Sequence, residues 1–152
     1  VMSAIDIRGN RRYRTQQLSP FFDDLFGALV DNKTMQEAML QMNALPGVSG
    51  FAYLSFGASP GDAVMNVSLS EESWGQLSTR VNNYGSPSTG EYRLTSQLTL
   101  NNPFHLSEQW RLSAAVNDQT ENWSTSLGVD FYRGARHRFS LSAGLQHLAV
   151  TQ

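Results

Sequence analysis

The hydrophobic pattern of this chain changes near Trp74, and that change constrains the fold more than any other feature. Before Trp74, apolar residues recur at three- and four-residue spacing in two segments, as they do in amphipathic helices. After Trp74 they alternate with polar residues, as in strands that have one apolar and one polar face. We therefore expect two domains, an α+β domain over residues 1–73 and a sheet of long antiparallel strands over residues 74–152.

Two helices are expected in the first domain. The first begins at Ser19, an N-cap residue that is followed by Pro20 at the first helical position. The second begins with the capping box formed by Thr34 and Glu37, and it ends where the Pro-Gly pair at residues 46–47 interrupts the helical pattern. Each helix is predicted to present one apolar face.

Three strands complete the first domain. Residues 1–7 form a short strand, and the period of two returns at residue 49 on both sides of a Gly/Pro-rich turn at residues 57–62. The order is therefore strand, helix, helix, strand, strand. Such an order is typical of one three-stranded sheet that two helices cover on one face.

Five alternating runs follow Trp74, joined by turn-rich connectors such as residues 83–90. Each run is about as long as a tilted strand that crosses a bilayer, whereas no run of apolar residues is long enough for a transmembrane helix. Aromatic residues fall toward the run ends, as interfacial aromatics do. A partial transmembrane β-barrel is favoured, although a soluble β-sandwich gives the same alternation. The residues on the apolar side of the five runs are Leu77, Thr79 and Val81; Tyr92, Leu94, Leu98 and Leu100; Trp110, Leu112, Ala114 and Val116; Trp123, Thr125, Leu127, Val129 and Phe131; Phe139, Leu141, Ala143 and Leu145.

Composition excludes several classes of function. A formal net charge of -2 argues against a nucleic-acid-binding protein, and the absence of cysteine excludes thiolate metal sites and disulfides. Residues 57–61 match the G-x-S-x-G pattern of hydrolases around Ser59, but a second strand rather than a helix is expected to follow, so a turn is the better interpretation. The three histidines have no metal-binding spacing. We expect no catalytic residue, no metal and no cofactor.

Three stretches resemble the outer-membrane transporters of two-partner secretion, the haemolysin and haemagglutinin secretion/activation proteins. They are LPGV at residues 45–48, SFGASPGDAVMNVSLSEES at 55–73 and VNNYGSPSTGEYRLTSQLTLNNPF at 81–104. The resemblance implies that residues 1–73 form a polypeptide-transport-associated (POTRA) domain in the periplasm. It also implies that residues 74–152 are the first strands of an outer-membrane β-barrel, in contact with lipid, that exports a secreted exoprotein and is not an enzyme.

A polypeptide-binding site is predicted at the edge of the small sheet. An extended client can add a strand to an open edge through main-chain hydrogen bonds while its side chains enter a neighbouring groove. We place this edge at residues 50–56 beside the first helix, with Phe51, Tyr53, Phe22 and Phe26 as the contacting residues. The alternative is that these aromatic side chains belong to the core. Methionines on the second helix suit either a core or an adaptable binding surface.

Two other functions remain compatible with the sequence. The first is an outer-membrane protein assembly factor of the same superfamily, which has the same architecture. The second is a soluble β-rich protein, structural or carbohydrate-contacting, in which aromatic residues on the strands form a platform for a sugar.

Overall fold

The computed structural model of this protein describes residues 1–29, 31–85, 90–118, 122–133 and 137–149. Parts of the connectors predicted at residues 83–90, 117–122 and 133–136 lie outside these ranges. Within them, no helix is long and apolar enough to cross a membrane. The elements, in chain order, are β1 (Met2–Arg8), α1 (Thr15–Leu18), α2 (Asn32–Asn43), β2 (Val48–Phe56), β3 (Ala63–Glu71), β4 (Gly75–Asn82), β5 (Arg93–Asn101), β6 (Glu108–Asn117), β7 (Trp123–Arg133) and β8 (His137–His147).

The first helical segment differs from the prediction. It starts before Ser19, as the single turn α1, and continues as two 3-10 turns at Ser19–Phe21 and Asp23–Leu25. The physical reason lies at Pro20, which has no N–H to donate and so cannot continue the hydrogen-bond ladder of α1. The apolar residues of this segment still face inward, because Leu18, Phe21 and Leu25 are buried.

The second helix, α2, forms close to the predicted position but has a different cap. Asp31 is the N-cap residue, and its carboxylate accepts hydrogen bonds from the backbone N and the hydroxyl of Thr34, at 3.1 and 2.8 Å. These bonds lower the pKa of Asp31. The helix therefore begins three residues before the predicted capping box at Thr34, because the carboxylate of Asp31 accepts from the backbone N of Thr34 and caps the helix there.

The three-stranded sheet has the order β1-β3-β2, in which β1 is parallel to β3 and β2 is antiparallel to it. The hairpin predicted from the period of two is thus confirmed, whereas the central position of β3 is a feature that the sequence did not predict. α2 and the helical turns cover one face. Between them and the sheet lies the core, formed by Met2, Tyr13, Leu18, Phe21, Phe22, Leu25, Ala38, Met42, Leu45, Val48, Met65, Val67 and Leu69.

The five predicted runs form a second sheet with the order β4-β5-β6-β7-β8, antiparallel throughout. Its register is continuous, so side chains of one kind stand side by side across the strands. One such row on the apolar face is Leu77, Leu98, Leu112, Leu127 and Ala143, and the neighbouring row on the other face is Ser78, Gln97, Ser113, Ser126 and Gly144. The prediction of five strands with one apolar and one polar face is confirmed.

Candidate functional site

The outer edge of β2 presents main-chain groups that are not used within the sheet. Two hydrogen bonds flank the β2–β3 ladder, from Glu72 N to Gly47 O and from Gly57 N to Asp62 O, each 2.9 Å long. Because bonded pairs alternate with non-bonded pairs in an antiparallel ladder, the odd-numbered residues of β2 bond to β3. The even-numbered residues, such as Leu54, therefore direct N–H and C=O outward, and no strand of the described chain pairs with them.

A groove of about 460 Å³ lies beside this edge, between α2 and β2. α2 contributes Met35, Met39 and Leu40 to it, and Asn43 Nδ2 donates to Gly50 O, an outward carbonyl of β2, at 3.0 Å. Methionine side chains are flexible and polarizable, so such a wall adapts to different ligands. The methionine spacing was the only sign of this surface in the sequence.

The groove is formed by the second helix, so the prediction that it lies beside the first helix is wrong. The chain that follows the first helical segment bonds instead to β1: Met2 N donates to Ala28 O and Gly27 N donates to Met2 O, both at 2.9 Å. β1 and β2 lie on opposite sides of β3. The first segment is consequently near the edge that is remote from β2.

The structure does not bring the four predicted contact residues together. Phe51 and Tyr53, on β2, are 64% and 54% exposed, so they are not core side chains. Phe22 is 1% exposed and belongs to the core. Phe26 is 64% exposed and lies at the β1 side of the sheet. Only Phe51 and Tyr53 therefore lie on the open-edge strand.

Ser59 lies in the turn between β2 and β3, where Asp62 N donates to Ser59 O at 3.0 Å. A second strand follows it, as expected. The strand-to-helix geometry of a nucleophile elbow is absent at this position.

The start of the chain after β1 is held to the end of β3 by Glu71. Its carboxylate, with a side chain only 3% exposed, accepts hydrogen bonds from the backbone N of Arg11, Arg12 and Tyr13 and pairs with the Arg12 guanidinium at 3.2 Å. Burial on its own raises the pKa of Glu71, but the three N–H donors and the charge of Arg12 outweigh it and lower the pKa. This carboxylate therefore fixes residues 11–13 to the end of β3.

The turn between β5 and β6, residues 101–108, has an unusual conformation. Asn102, His105 and Ser107 have positive φ angles of 52°, 62° and 58°. Glu108 is fully buried, and its carboxylate accepts from the backbone N of Phe104 and Leu106 at 2.6 and 2.7 Å. Conformations of this kind are costly for non-glycine residues and persist where surrounding contacts impose them.

Contacts from the three-stranded unit and from β7 hold this turn, so we call residues 101–108 the docking turn. Gln17 Nε2 donates to His105 O at 2.8 Å and to Ser107 Oγ at 3.2 Å, and Tyr132 N of β7 donates to Ser107 O at 2.9 Å. Tyr13 is buried beside it, and burial together with the nearby carboxylate of Glu108 raises the pKa of Tyr13. The docking turn thus fixes the three-stranded unit at one end of the long sheet, which we call the near end.

Away from the strand ends, the charged side chains of the long sheet lie on its polar face. Asp130 is buried at the near end, where it accepts from Arg111 Nη2, from Ser140 Oγ and, at 3.0 Å, from Arg138 Nη2. Arg138 also stacks over the ring of Tyr132, 5.5 Å from its centroid. Between the strand ends, the apolar face has no charged side chain in the described strands.

This combination, a small helix-covered sheet fixed to one end of a long-stranded sheet with an apolar and a polar face, is a fold that the chain shares with solved structures of CdiB and BamA. CdiB from Escherichia coli matches 95% of this chain with 31% of its own, at a TM-score of 0.69 and 20% identity. CdiB from Acinetobacter baumannii has a TM-score of 0.67 and 17% identity, and the match covers 94% of this chain and 27% of that protein. BamA from Haemophilus ducreyi has a TM-score of 0.64 and 14% identity, and the match covers 85% of this chain and 24% of that protein.

Sequence comparison defines the family. The profile of the haemolysin secretion/activation protein ShlB/FhaC/HecB matches residues 61–147, and the chain belongs to this family of two-partner secretion transporters. The outer membrane transporter CdiB of Dickeya dadantii (strain 3937) is 30% identical over 107 residues, which are 69% of this chain and 19% of that protein. The chain thus spans about a fifth of the length of this curated relative.

Family membership excludes one of the functions considered from the sequence. The protein is located in the bacterial outer membrane, and its family consists of transporters rather than enzymes. A soluble carbohydrate-contacting protein is therefore excluded. The likeness to BamA, at 14% identity, concerns the fold alone.

Proposed function

We propose that this chain is the part of a two-partner secretion transporter that receives an unfolded exoprotein and forms one section of the wall of its export barrel. The observation that carries the proposal is the open edge of β2 beside the α2 groove, on a unit fixed at the near end of the long sheet. An extended client would add to β2 through its main chain, with its side chains in the groove.

In this proposal, residues 1–73 are a POTRA domain in the periplasm and residues 74–152 are the first strands of the barrel. The order of strands and helices, and the fixed connection at the docking turn, support the division. The near end of the long sheet is then the periplasmic end, so that a client bound at β2 is held beside the entrance of the barrel.

The apolar face of the long sheet is proposed to contact lipid, and the polar face to line the pore. Outward apolar and inward polar residues alternate in membrane barrels. The rows of leucine across β4 to β7 and the absence of charge between the strand ends on that face, in the described strands, support this orientation. Trp110 and Phe131 at the near end, and Trp123 at the other, occupy the positions of interfacial aromatics.

Strand addition is tested by Leu54→Pro in the full-length transporter. This change removes an N–H that points to the open edge and leaves the ladder with β3 intact. Secretion of the exoprotein into the medium should fall at least about fivefold, because each lost main-chain hydrogen bond costs about 1 kcal/mol and the proline ring also blocks the approach of a strand. Leu54→Val, which keeps the N–H, is the matched control and should secrete normally.

A cross-linking experiment locates the contact. A photoreactive phenylalanine at position 51 should cross-link to the exoprotein during secretion, whereas the same group at position 26, equally exposed but at the β1 side, should not. Normal secretion by a folded Leu54→Pro transporter, together with equal cross-linking at both positions, would refute strand addition at β2.

A further inference from the structure

We propose that Arg80 and Arg93 form a carboxylate-binding surface on the polar face of the long sheet, which takes acidic residues of an extended polypeptide that moves along this face. The inference deepens the proposed function and rests on it, because it takes the polar face to be the wall of the pore. Its partner is defined by chemistry, as an extended chain with carboxylates on alternate residues.

Positively charged side chains outnumber negatively charged ones on the polar face. The register places Arg80, Arg93, Arg111 and Arg138 on this face, with Asp130 as the acidic residue among the described strand positions that share it. The face is therefore positive, and a positive wall with low-dielectric sides attracts anionic groups.

The two pairs of arginines have different surroundings. At the near end, Arg111 and Arg138 share the buried carboxylate of Asp130, so their charge is partly neutralised within the sheet. At the opposite end, which we call the far end, Arg80 is exposed and Arg93 Nε donates to the neutral Asn117 Oδ1 at 3.3 Å. In the part of the chain that the structure describes, no carboxylate lies within ion-pair distance of Arg80 or Arg93.

The spacing of the far pair matches an extended chain. Arg80 lies opposite Thr95, and Arg93 lies opposite Asn82, so the two arginines are diagonal neighbours on one face of β4 and β5. Such neighbours are about 7–8 Å apart. Side chains two residues apart on an extended polypeptide are separated by about 7 Å, so two alternate carboxylates reach the two guanidinium groups together.

The surface between the two ends does not obstruct a passing chain. The middle of the polar face carries uncharged and mostly small side chains; one cross-strand row consists of Ser78, Gln97, Ser113, Ser126 and Gly144. An extended polypeptide that leaves the near end therefore meets a low, uncharged floor before it reaches Arg80 and Arg93. The geometry makes the far end the position where acidic residues of the client are held on the polar face.

The test uses the full-length transporter that contains this segment, reconstituted in planar bilayers of uncharged phosphatidylcholine at about 0.1 M salt, where exposed charges act over roughly 10 Å. The probe is a peptide in which Glu and Ser alternate, and its uncharged counterpart has Gln in place of Glu. Block of the open pore by each peptide is measured for the wild type and for the double variant Arg80→Gln, Arg93→Gln.

We expect the Glu peptide to block the double variant only at about fivefold higher concentration than the wild type, the size of effect that two exposed ion pairs provide. The Gln peptide should block both equally. Arg80→Lys with Arg93→Lys should retain most of the block, and Arg11→Gln with Lys33→Gln, which removes two charges from the three-stranded unit, should behave as wild type.

Equal block of the wild type and the double variant by the Glu peptide, with normal conductance in both, would overturn the inference and leave the proposed function intact. Block that falls equally in the Arg11 and Lys33 control would also overturn it, because the effect would then arise from net charge. A wild-type transporter that forms no pore would contradict the proposed function itself.

Discussion

The two sheets of this protein use the same alternating pattern in opposite ways. In the three-stranded sheet the apolar face is buried under α2 and the helical turns, and nearly every buried apolar side chain in the described residues belongs to this unit. In the long sheet the apolar face stays exposed, with large side chains such as Leu77, Leu112, Leu127 and Leu141 outside any core. The first sheet carries its own cover, whereas the second requires one from its surroundings.

The difference shows which property of a sheet alternation specifies and which it leaves open. A period of two fixes which residues share a face, but the medium on that face depends on the segments that connect the strands. Helices connect β1 to β2, so they can cover the small sheet. No helix of the described residues lies between β4 and β8, so none covers the long sheet, and in the proposed function lipid is its cover.

The largest expected effect concerns solubility. The full chain should associate into large particles in buffer without detergent, because its apolar face and both edge strands are open. A chain cut after residue 73 should remain a monomer, since its core is buried within it. Analytical ultracentrifugation of both chains makes the comparison, and a monodisperse full chain in plain buffer would contradict the contrast between the two sheets.

The next effect is on the stability of the three-stranded unit. Phe22→Ala should lower its free energy of unfolding by about 3–5 kcal/mol, because a fully buried aromatic side chain leaves a cavity. Phe26→Ala, four residues on and largely exposed, should change it by less than about 0.5 kcal/mol. Urea denaturation followed by circular dichroism of residues 1–73 measures both. Similar losses of unfolding free energy for the two variants would contradict the assignment of Phe22 to the core and of Phe26 to the surface.

Glu71 provides a pH-dependent test in the same unit. Since the pKa of Glu71 is lower in the folded state than the ordinary value of 4.5, its stabilising contribution is complete at neutral pH and disappears as the pH falls below that value. Glu71→Gln should cost about 1.5–3 kcal/mol at pH 7 and flatten the loss of stability in acid. If the unfolding of residues 1–73 at low pH is the same in the variant as in the wild type, the hydrogen bonds from three backbone N–H groups to Glu71 are contradicted.

The smallest effect is expected at the docking turn. Gln17→Ala removes the donor to His105 O and Ser107 Oγ, which should loosen the connection of the two sheets at a cost of about 1 kcal/mol. Hydrogen exchange in detergent should become faster at residues 101–108 and stay the same in β3. Gln16→Ala, at the preceding residue of α1, is the matched control; identical exchange in both variants would mean that Gln17 does not hold the unit in place.

Local patterns were sufficient for the strands and insufficient for the connections between distant residues. The period of two located β2 to β8 because each face is uniform along a strand. Pro20 interrupts the first helix, which forms short turns instead. Because β1 pairs with β3 on the side opposite β2, the first helical segment lies near β1, and the groove beside β2 is formed by α2. The docking turn depends on contacts between Gln17 and residues almost ninety positions later, which no local pattern contains.

The orientation of the long sheet is tested most directly by its two faces. This chain contains no cysteine, so the segment adds no background of its own when single cysteines are introduced into it. In the full-length transporter in outer-membrane vesicles, a membrane-impermeant maleimide should react with Ser113→Cys and Ser126→Cys at least about tenfold faster than with Leu112→Cys and Leu127→Cys, their neighbours on the opposite face. Equal reaction at all four positions, or faster reaction at the leucine positions, would contradict a polar face that lines the pore and an apolar face in lipid.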